Sequence, residues 1–468
     1  MPQNITLAHW LTLHGLVMTT AILIYVISSH AMHQRRQPTA AIAWILFILL
    51  LPYLALPFFL LFGSRKVPRP RYGQAPTPPA LDKEGHWAID TIMALGQPAP
   101  AAYDDLQVHE DGHQARAALL RIIDQAQASI DICTFILGCD AFGEEVIDRL
   151  CDKLQTGVRV RLMLDGVGSL MDRPPHLKRL RQAGGAFALF APPLRSGIRG
   201  HTNLRDHRKL LVADAGQPSA RLWCGGRNLA ANYFEGTPGQ PPWRDLSFDL
   251  GGLLVQQASD LFNKDWAFAK GLPAPKQEAA LPSCNTLAYQ GHCAQLVASG
   301  PDQADDTLLA LLVTAAYRAH HRILLASPYF VPDPSLLMAL CLAARRGVEV
   351  DLLLPARSNH RLSDLVRGRA LRSLTDAGAR IWLAPTMMHG KLAIFDATLA
   401  LAGSANLDNR SLQLNYELML AFHNARDVQR FAEWFEAERQ ASKRHVAKQV
   451  GMTRDLFEGL LLWLGFQL

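Results

Sequence analysis

The chain has little cysteine, and what it has forms no pattern. Its seven cysteines in 468 residues (Cys133, Cys139, Cys151, Cys224, Cys284, Cys293 and Cys341) are odd in number and scattered, which excludes a disulfide framework as the basis of the fold. There is no C-x-x-C pair and no Cys/His cluster at zinc spacing, so neither a zinc module nor a dithiol redox centre is expected. Reduced, mostly buried thiols are expected instead, as in a protein whose catalytic part faces the cytosol. An acidic excess is also missing: 47 Lys and Arg against 41 Asp and Glu leave a net charge of +6, with a pI near 9.0. That balance favours anionic partners, phospholipid head groups or nucleic acid, without choosing between them.

A cleaved signal peptide is not expected, because no basic residue precedes the first apolar run and no small-x-small site follows it. Leu11 to Ser28 and Ala40 to Phe62 carry no formal charge. Each run is close to the ~20 residues a helix needs to cross ~30 Å of hydrocarbon. Trp10, Trp44 and Tyr53 stand ready as interfacial anchors. Residues 1–66 therefore read as a transmembrane helical hairpin with spans at about 11–28 and 40–62. Arg35 and Arg36 lie between the spans, and Arg65, Lys66, Arg69 and Arg71 follow the second, so the positive-inside rule puts the rest of this multi-pass protein on the cytoplasmic side. Residues 67–102 form a lead-in whose Val67 to Pro79 holds five prolines and reads as an extended linker. The tail from Asp455 to Leu468 is too short to span; an interfacial amphipathic segment and a packed helix fit it equally.

The remainder is written twice. In residues 103–275 a helical pattern over Arg116 to Gln127 leads into an apolar strand, then a second helix, Gly157-Val158 and the strand VRVRLMLDG. Residues 276–468 repeat this order through Thr307 to Phe330, a second helix opening at Pro334, Gly347-Val348 and VEVDLLLPA. Near-continuous apolar strands alternating with helices give an α/β class, with strands buried on both faces of layered α/β/α halves.

Each copy ends in the same short sentence. His389, Lys391 and Asp396 are followed by the turn Gly403-Ser404-Ala405-Asn406; His207, Lys209 and Asp214 are followed by Gly225-Gly226-Arg227-Asn228 after a longer linker. Strand alternation places each histidine and lysine on one face. An imidazole to attack phosphorus, a fixed cation and uncharged donors for non-bridging oxygens suit a phosphate. Neighbouring Asp245 and Glu417 are the candidates for orienting the imidazoles.

These are the residues by which the chain resembles the phospholipase D superfamily, with its paired HKD motifs. Four further stretches are similar to bacterial cardiolipin synthases: Arg35-Arg36-x-Pro38 with the second apolar run, SPYFVPD (Ser327 to Asp333), Asn203 to Lys209, and the acidic positions in Trp243-Arg244-Asp245 and Asn415-Tyr416-Glu417. The family commonly has Asn where this chain has Asp206. The resemblance implies two phospholipase D-like halves sharing one active site at a pseudo-two-fold interface. It implies His207, Lys209, Asp214, His389, Lys391 and Asp396 as catalytic residues, with no metal or other cofactor. Asn228, Asn406 and Ser404 would bind phosphate, and Asp214 and Asp396, pointing along their strands away from the histidines, would brace the lysines or the interface. The implied activity transfers a phosphatidyl group between two phosphatidylglycerols in a bacterial inner membrane, through a phosphohistidine on His207, with the second histidine held protonated. Phosphatidylethanolamine is a further candidate donor and nucleic acid is not an expected partner; hydrolysis by water, of phospholipid or less readily of nucleic acid, is the alternative.

Overall fold

The computed structural model describes residues 7–31, 38–63, 87–171, 177–192, 203–275, 292–303, 306–446, 450–454, 458–459 and 461. Arg35, Arg36, the basic residues after Phe62, the linker Val67 to Pro79, Arg195, Arg199, Cys284 and most of the tail lie outside them.

The N-terminal apolar residues form three helices, α1 (Leu7–Ala31), α2 (Pro38–Leu50) and α3 (Pro52–Phe62). The second run is therefore not one continuous helix. Pro52 supplies no N–H and its ring disfavours helical backbone at the residue before it, and Leu51 sits at φ −140°, ψ 60°. Among the described residues no helix is long and apolar enough to cross a membrane. The three helices pack through Tyr25 against Phe59 (5.1 Å between ring centroids) and Trp44 against Phe59 (5.3 Å). Their outer faces leave Leu13, Leu16, Leu23, Ile42 and Leu54 exposed.

The duplication read from the sequence is present as two sheets of matching topology. In the first, seven strands run in the order Asp104–His109, Ser247–Gly251, Arg221–Gly225, Leu210–Ala213, Ser129–Thr134, Arg159–Asp165, Ala186–Phe190. The first four neighbour pairs are antiparallel and the last two parallel. The second sheet repeats that sequence of pairings through Cys293–Ser299, Asn415–Phe422, Leu399–Gly403, Leu392–Phe395, Arg322–Ala326, Glu349–Pro355 and Arg380–Ala384. It is extended by Ala101–Ala102 and Lys443–His445 at its edges. The parallel pairs require crossovers, which the helices Ala141–Gln155 and Pro334–Arg345 supply, started by the side-chain caps of Asp140 and Asp333.

The sheets meet face to face over one apolar core that takes residues from both halves. Phe248 of the first and Phe422 of the second stand edge to face at 5.4 Å, and Phe190 meets Tyr416 at 4.9 Å. Helices Leu254–Lys270 and Ala425–Gln440 cover that core, the first ending where Gly271 takes the left-handed conformation (φ 68°). One cysteine departs from the expectation of free thiols: Cys293, at the start of its strand, is disulfide-bonded, whereas Cys133, Cys151, Cys224 and Cys341 are free. The thiols thus no longer argue uniformly for a reducing side.

Candidate active site

The two motifs converge where each half lends backbone to the other. Arg205–Asp206 pairs parallel with Asn415–Tyr416, and the next amide, His207 N–H, donates to the Tyr416 carbonyl (2.9 Å). The second half reverses the arrangement: Arg244 bridges to Met388, and His389 N–H donates to the Arg244 carbonyl (2.6 Å). Each histidine is thus hung on the residue that precedes the other half's acidic position.

That register decides which carboxylate meets which imidazole. Glu417 of the second half holds His207 Nδ1 at 3.0 Å from both its oxygens; Asp245 of the first half holds His389 Nδ1 at 2.6 Å. With Nδ1–H donating to a carboxylate, each Nε2 is left with its lone pair for phosphorus or a proton. His207 Nε2 has no hydrogen-bond partner among the described residues, whereas His389 Nε2 lies 3.2 Å from Lys391 Nζ. Both carboxylates are buried, and each is held below its ordinary range, although burial itself opposes this, by its histidine and the lysines. They are anions at neutral pH.

The turns carry the difference between Asp and Glu. A Cβ on Gly226 would lie 2.2 Å from Asp245 Oδ1, so only glycine lets that short side chain in. At the matching place Ser404 donates through Oγ to Glu417 Oε2 (2.5 Å) and accepts from Leu418 N–H (2.9 Å), steadying the longer acid. Ser404 is therefore placed as a support for Glu417. Asn228 is engaged too, its Nδ2 donating to Tyr233 Oη (2.7 Å) and its Oδ1 accepting from Ile136 N–H (3.3 Å). The third expected phosphate ligand, Asn406, has its Oδ1 buried without a partner among the described residues, and only its Nδ2 group could donate to a phosphate oxygen.

Lys209 and Lys391 are buried beside the histidines, each Nζ donating to its own motif's histidine carbonyl, at 2.7 and 2.5 Å. Burial lowers Lys209 to about 8 and Lys391 to about 7. Burial, with Lys391 next, lowers His389 to about 3; burial also lowers His207. The expectation that the second histidine is held protonated fails for the resting site, where both imidazoles are neutral. A bound phosphodiester anion would oppose the lysine charge and restore proton affinity.

Asp214 and Asp396 are not brought to the histidines, and they brace neither lysines nor interface. Each stands at the far end of its strand with positive φ (51° and 54°) and accepts backbone amides: Gln127, Ala128 and Ser129 for Asp214, His320, His321 and Arg322 for Asp396. These N–H groups pull both carboxyls below the ordinary carboxylate range. Asp206 likewise turns away from His207, accepting from Cys133 Sγ (3.2 Å) and Arg208 N–H (3.1 Å), and burial pushes it up to about 8. Sequence reasoning missed the aromatic walls, Phe135 against His207 (5.3 Å) and Tyr233 and Trp243 against His389 (5.0 and 5.4 Å). It also missed Arg208, fully buried, whose Nε donates to the Glu417 carbonyl (3.1 Å) while its guanidinium pairs with Asp265. Its place between His207 and Lys209 was the available signal, since alternation turns that residue inward.

Fold and site define an enzyme of the phospholipase D superfamily, with two halves sharing one pair of histidines. A family model for the cardiolipin synthase PLD-like domain matches residues 119–239 and 312–439, and a phospholipase D-nuclease N-terminal model matches residues 17–64. The chain belongs to the cardiolipin synthase family, a group of phosphatidyltransferases. Cardiolipin synthase A of Pseudomonas putida strain W619 is 31% identical over 94% of this chain and 96% of its own. That of Pseudomonas fluorescens strain ATCC BAA-477 is 31% identical over 90% and 93%. Among solved structures, phosphatidylserine synthase of Haemophilus influenzae Rd KW20 covers 79% of this chain and 96% of its own at a TM-score of 0.61; at 12% identity the likeness is one of fold.

Proposed function

We propose that the chain is a membrane-bound cardiolipin synthase working through a phosphohistidine. The observation that carries the chemistry is the reciprocal pair of histidine–carboxylate dyads, each built from both halves. His207, whose Nε2 is open, attacks the phosphorus of one phosphatidylglycerol. The P–O bond to the head-group glycerol breaks, and the departing oxygen takes the proton from His389 Nε2 once the bound phosphate has raised that group's affinity. In the second step the terminal hydroxyl of another phosphatidylglycerol gives its proton to His389, its oxygen bonds to phosphorus, and the P–N bond breaks. Cardiolipin and glycerol result. Lys209, Lys391 and Asn406 offset charge on the equatorial oxygens, each such donor contributing on the order of 3 kcal/mol to the transition state.

The exposed apolar faces of α1, α2 and α3, the uncharged runs at 11–28 and 40–62, and the cardiolipin synthase relatives support a membrane hairpin that keeps lipid alcohols near the site. The charge asymmetry of the flanking segments supports a cytoplasmic catalytic part, residues 103–275 and 276–468, in the bacterial inner membrane. The test is incubation of the purified protein in mixed micelles with labelled phosphatidylglycerol. Cardiolipin with equimolar glycerol is expected; phosphatidic acid as the dominant product would make water the acceptor and the enzyme a phospholipase.

A further inference from the structure

The transfer needs two phosphates in the site at once, one being attacked and one already carried by the acceptor lipid. In phosphatidylglycerol three carbons separate the attacking hydroxyl oxygen from the ester oxygen of its own phosphate, so the second phosphate must sit within a short reach of the first. The two dyads and their lysines serve the first. A second group of cations stands beside them.

Arg205 lies two residues before His207. Asp206 and Arg208 point inward and are nearly or fully buried, while Arg205 and His207 are only partly covered, so alternation sets the guanidinium on the imidazole's side, about 6 to 7 Å along the backbone. Arg410, from the short helix Asn409–Gln413 that follows Asn406, reaches the same place from the other half. It donates to the carbonyl of Asn203 (3.1 Å) and twice to its Oδ1 (3.2 Å). These bonds cross the interface and hold the planar fork in one orientation. Among the described residues Arg410 forms no ion pair, although it is only partly exposed. Burial and the nearby Arg205 together lower it to about 10, and Asp408 and Asp165 only partly offset them; burial also lowers Arg205, with Asp165 opposing it. Asp165 and Asp408 are already engaged by the backbone amides of Val167, Gly168, Asp206 and Ser411, so two neighbouring guanidinium groups at this depth retain donors that suit a phosphodiester anion.

We propose that Arg410 and Arg205 bind the phosphate of the acceptor phosphatidylglycerol and so select an anionic lipid alcohol over water or a neutral alcohol. This rests on the reading of the site as a cardiolipin synthase and assigns the acceptor its own subsite. The strand pairing of Leu407–Asp408 with Phe330–Val331 joins the SPYFVPD loop to the segment that leads directly into the helix carrying Arg410.

The experiment compares acceptors with the donor kept constant. Full-length protein in mixed micelles receives phosphatidylglycerol with or without ethanol, and cardiolipin and phosphatidylethanol are both quantified for wild type and Arg410→Gln. The expected result is a loss of cardiolipin formation at least tenfold greater than the loss of phosphatidylethanol, with the deficit in the KM for acceptor lipid. Asn203→Ala, which loosens the fork and leaves its charge, is expected to shift the ratio in the same direction by a smaller factor, and stands in if Arg410→Gln does not fold. Equal losses of both products in the variants would make the arginine a structural brace and overturn the proposal, as would an unchanged ratio. Wild type that forms phosphatidylethanol but no cardiolipin would instead overturn the cardiolipin synthase reading, and the subsite with it.

Discussion

Glu417→Gln is the sharpest perturbation of the dyad that links the halves. The carboxylate accepts from His207 Nδ1 (3.0 Å), Ser404 Oγ (2.5 Å) and Asn415 Nδ2 (3.3 Å), and Ser404 is committed to donate because its oxygen already accepts from Leu418 N–H. Glutamine keeps the shape but has one accepting oxygen. If that oxygen satisfies Ser404, the new NH2 faces His207 and favours the tautomer with its proton on Nε2, which removes the lone pair that attacks phosphorus. The equivalent change in a histidine–carboxylate triad costs on the order of 10⁴ in kcat. With Asn415 able to adjust, a loss of about 10²- to 10⁴-fold is expected, or about 3 to 5 kcal/mol of barrier. The pH profile adds a second reading. Glu417 raises the His207 pKa, so its loss moves the acid limb of kcat/KM to lower pH. The assay is cardiolipin formation by stopped time points across pH 5 to 9, with melting temperatures checked in parallel. A variant within threefold of wild type at equal melting temperature would refute the assignment of Glu417 to His207.

Other expectations follow from the same geometry. His207→Ala and His389→Ala should each fall below a tenth of wild-type turnover, measured as cardiolipin formed, because each performs a step the other does not. With a p-nitrophenyl phosphodiester, whose leaving group needs no proton, His389→Ala and Asp245→Asn should regain hydrolysis while His207→Ala and Glu417→Gln should not; rescue of the latter pair would exchange the two roles. In wild type, kcat/KM should rise as pH falls from about 9 to about 7, as Lys209 and then Lys391 gain their charge, and should not fall again between about pH 7 and 6.5, since His207 is lowered. Asp214→Ala, distant from the histidines, should lower the melting temperature by about 5 °C through about 2 kcal/mol of lost amide bonds, with kcat/KM within threefold of wild type. Activity should survive EDTA, and loss restored only by a divalent ion would contradict a lysine-based site.

The duplication, the α/β class and the His–Lys pairs were legible because they rest on local periodicity and on repetition within one chain. So were Asp245 and Glu417 as the acids of the site. Their partners were not: which carboxylate serves which histidine is set by the bridges from Arg205–Asp206 to Asn415–Tyr416 and from Arg244 to Met388, which join residues far apart in sequence. That Asp214 and Asp396 point away from the histidines was legible, but not what they hold, because motif membership does not reveal that a left-handed turn aims them at backbone amides. Ser404 and Asn228 have donors that suit a phosphate, yet the neighbours that occupy them, Glu417 and Tyr233, are supplied by the fold. The break at Leu51 was written in Pro52, which a spanning segment can tolerate where neighbours re-satisfy the freed carbonyls, so the proline alone did not decide between a kink and a break.

The shared-site mechanism is tested most directly by trapping its intermediate. Phosphatidylglycerol labelled in the phosphate is mixed with enzyme, quenched in milliseconds to seconds, and the digested protein is mapped by mass spectrometry while cardiolipin is counted in the same samples. The mechanism requires one phosphatidyl adduct per chain, on the peptide containing His207, decaying at the rate at which cardiolipin appears. Cardiolipin accumulating with no adduct at any time, or an adduct on the His389 peptide, would contradict it.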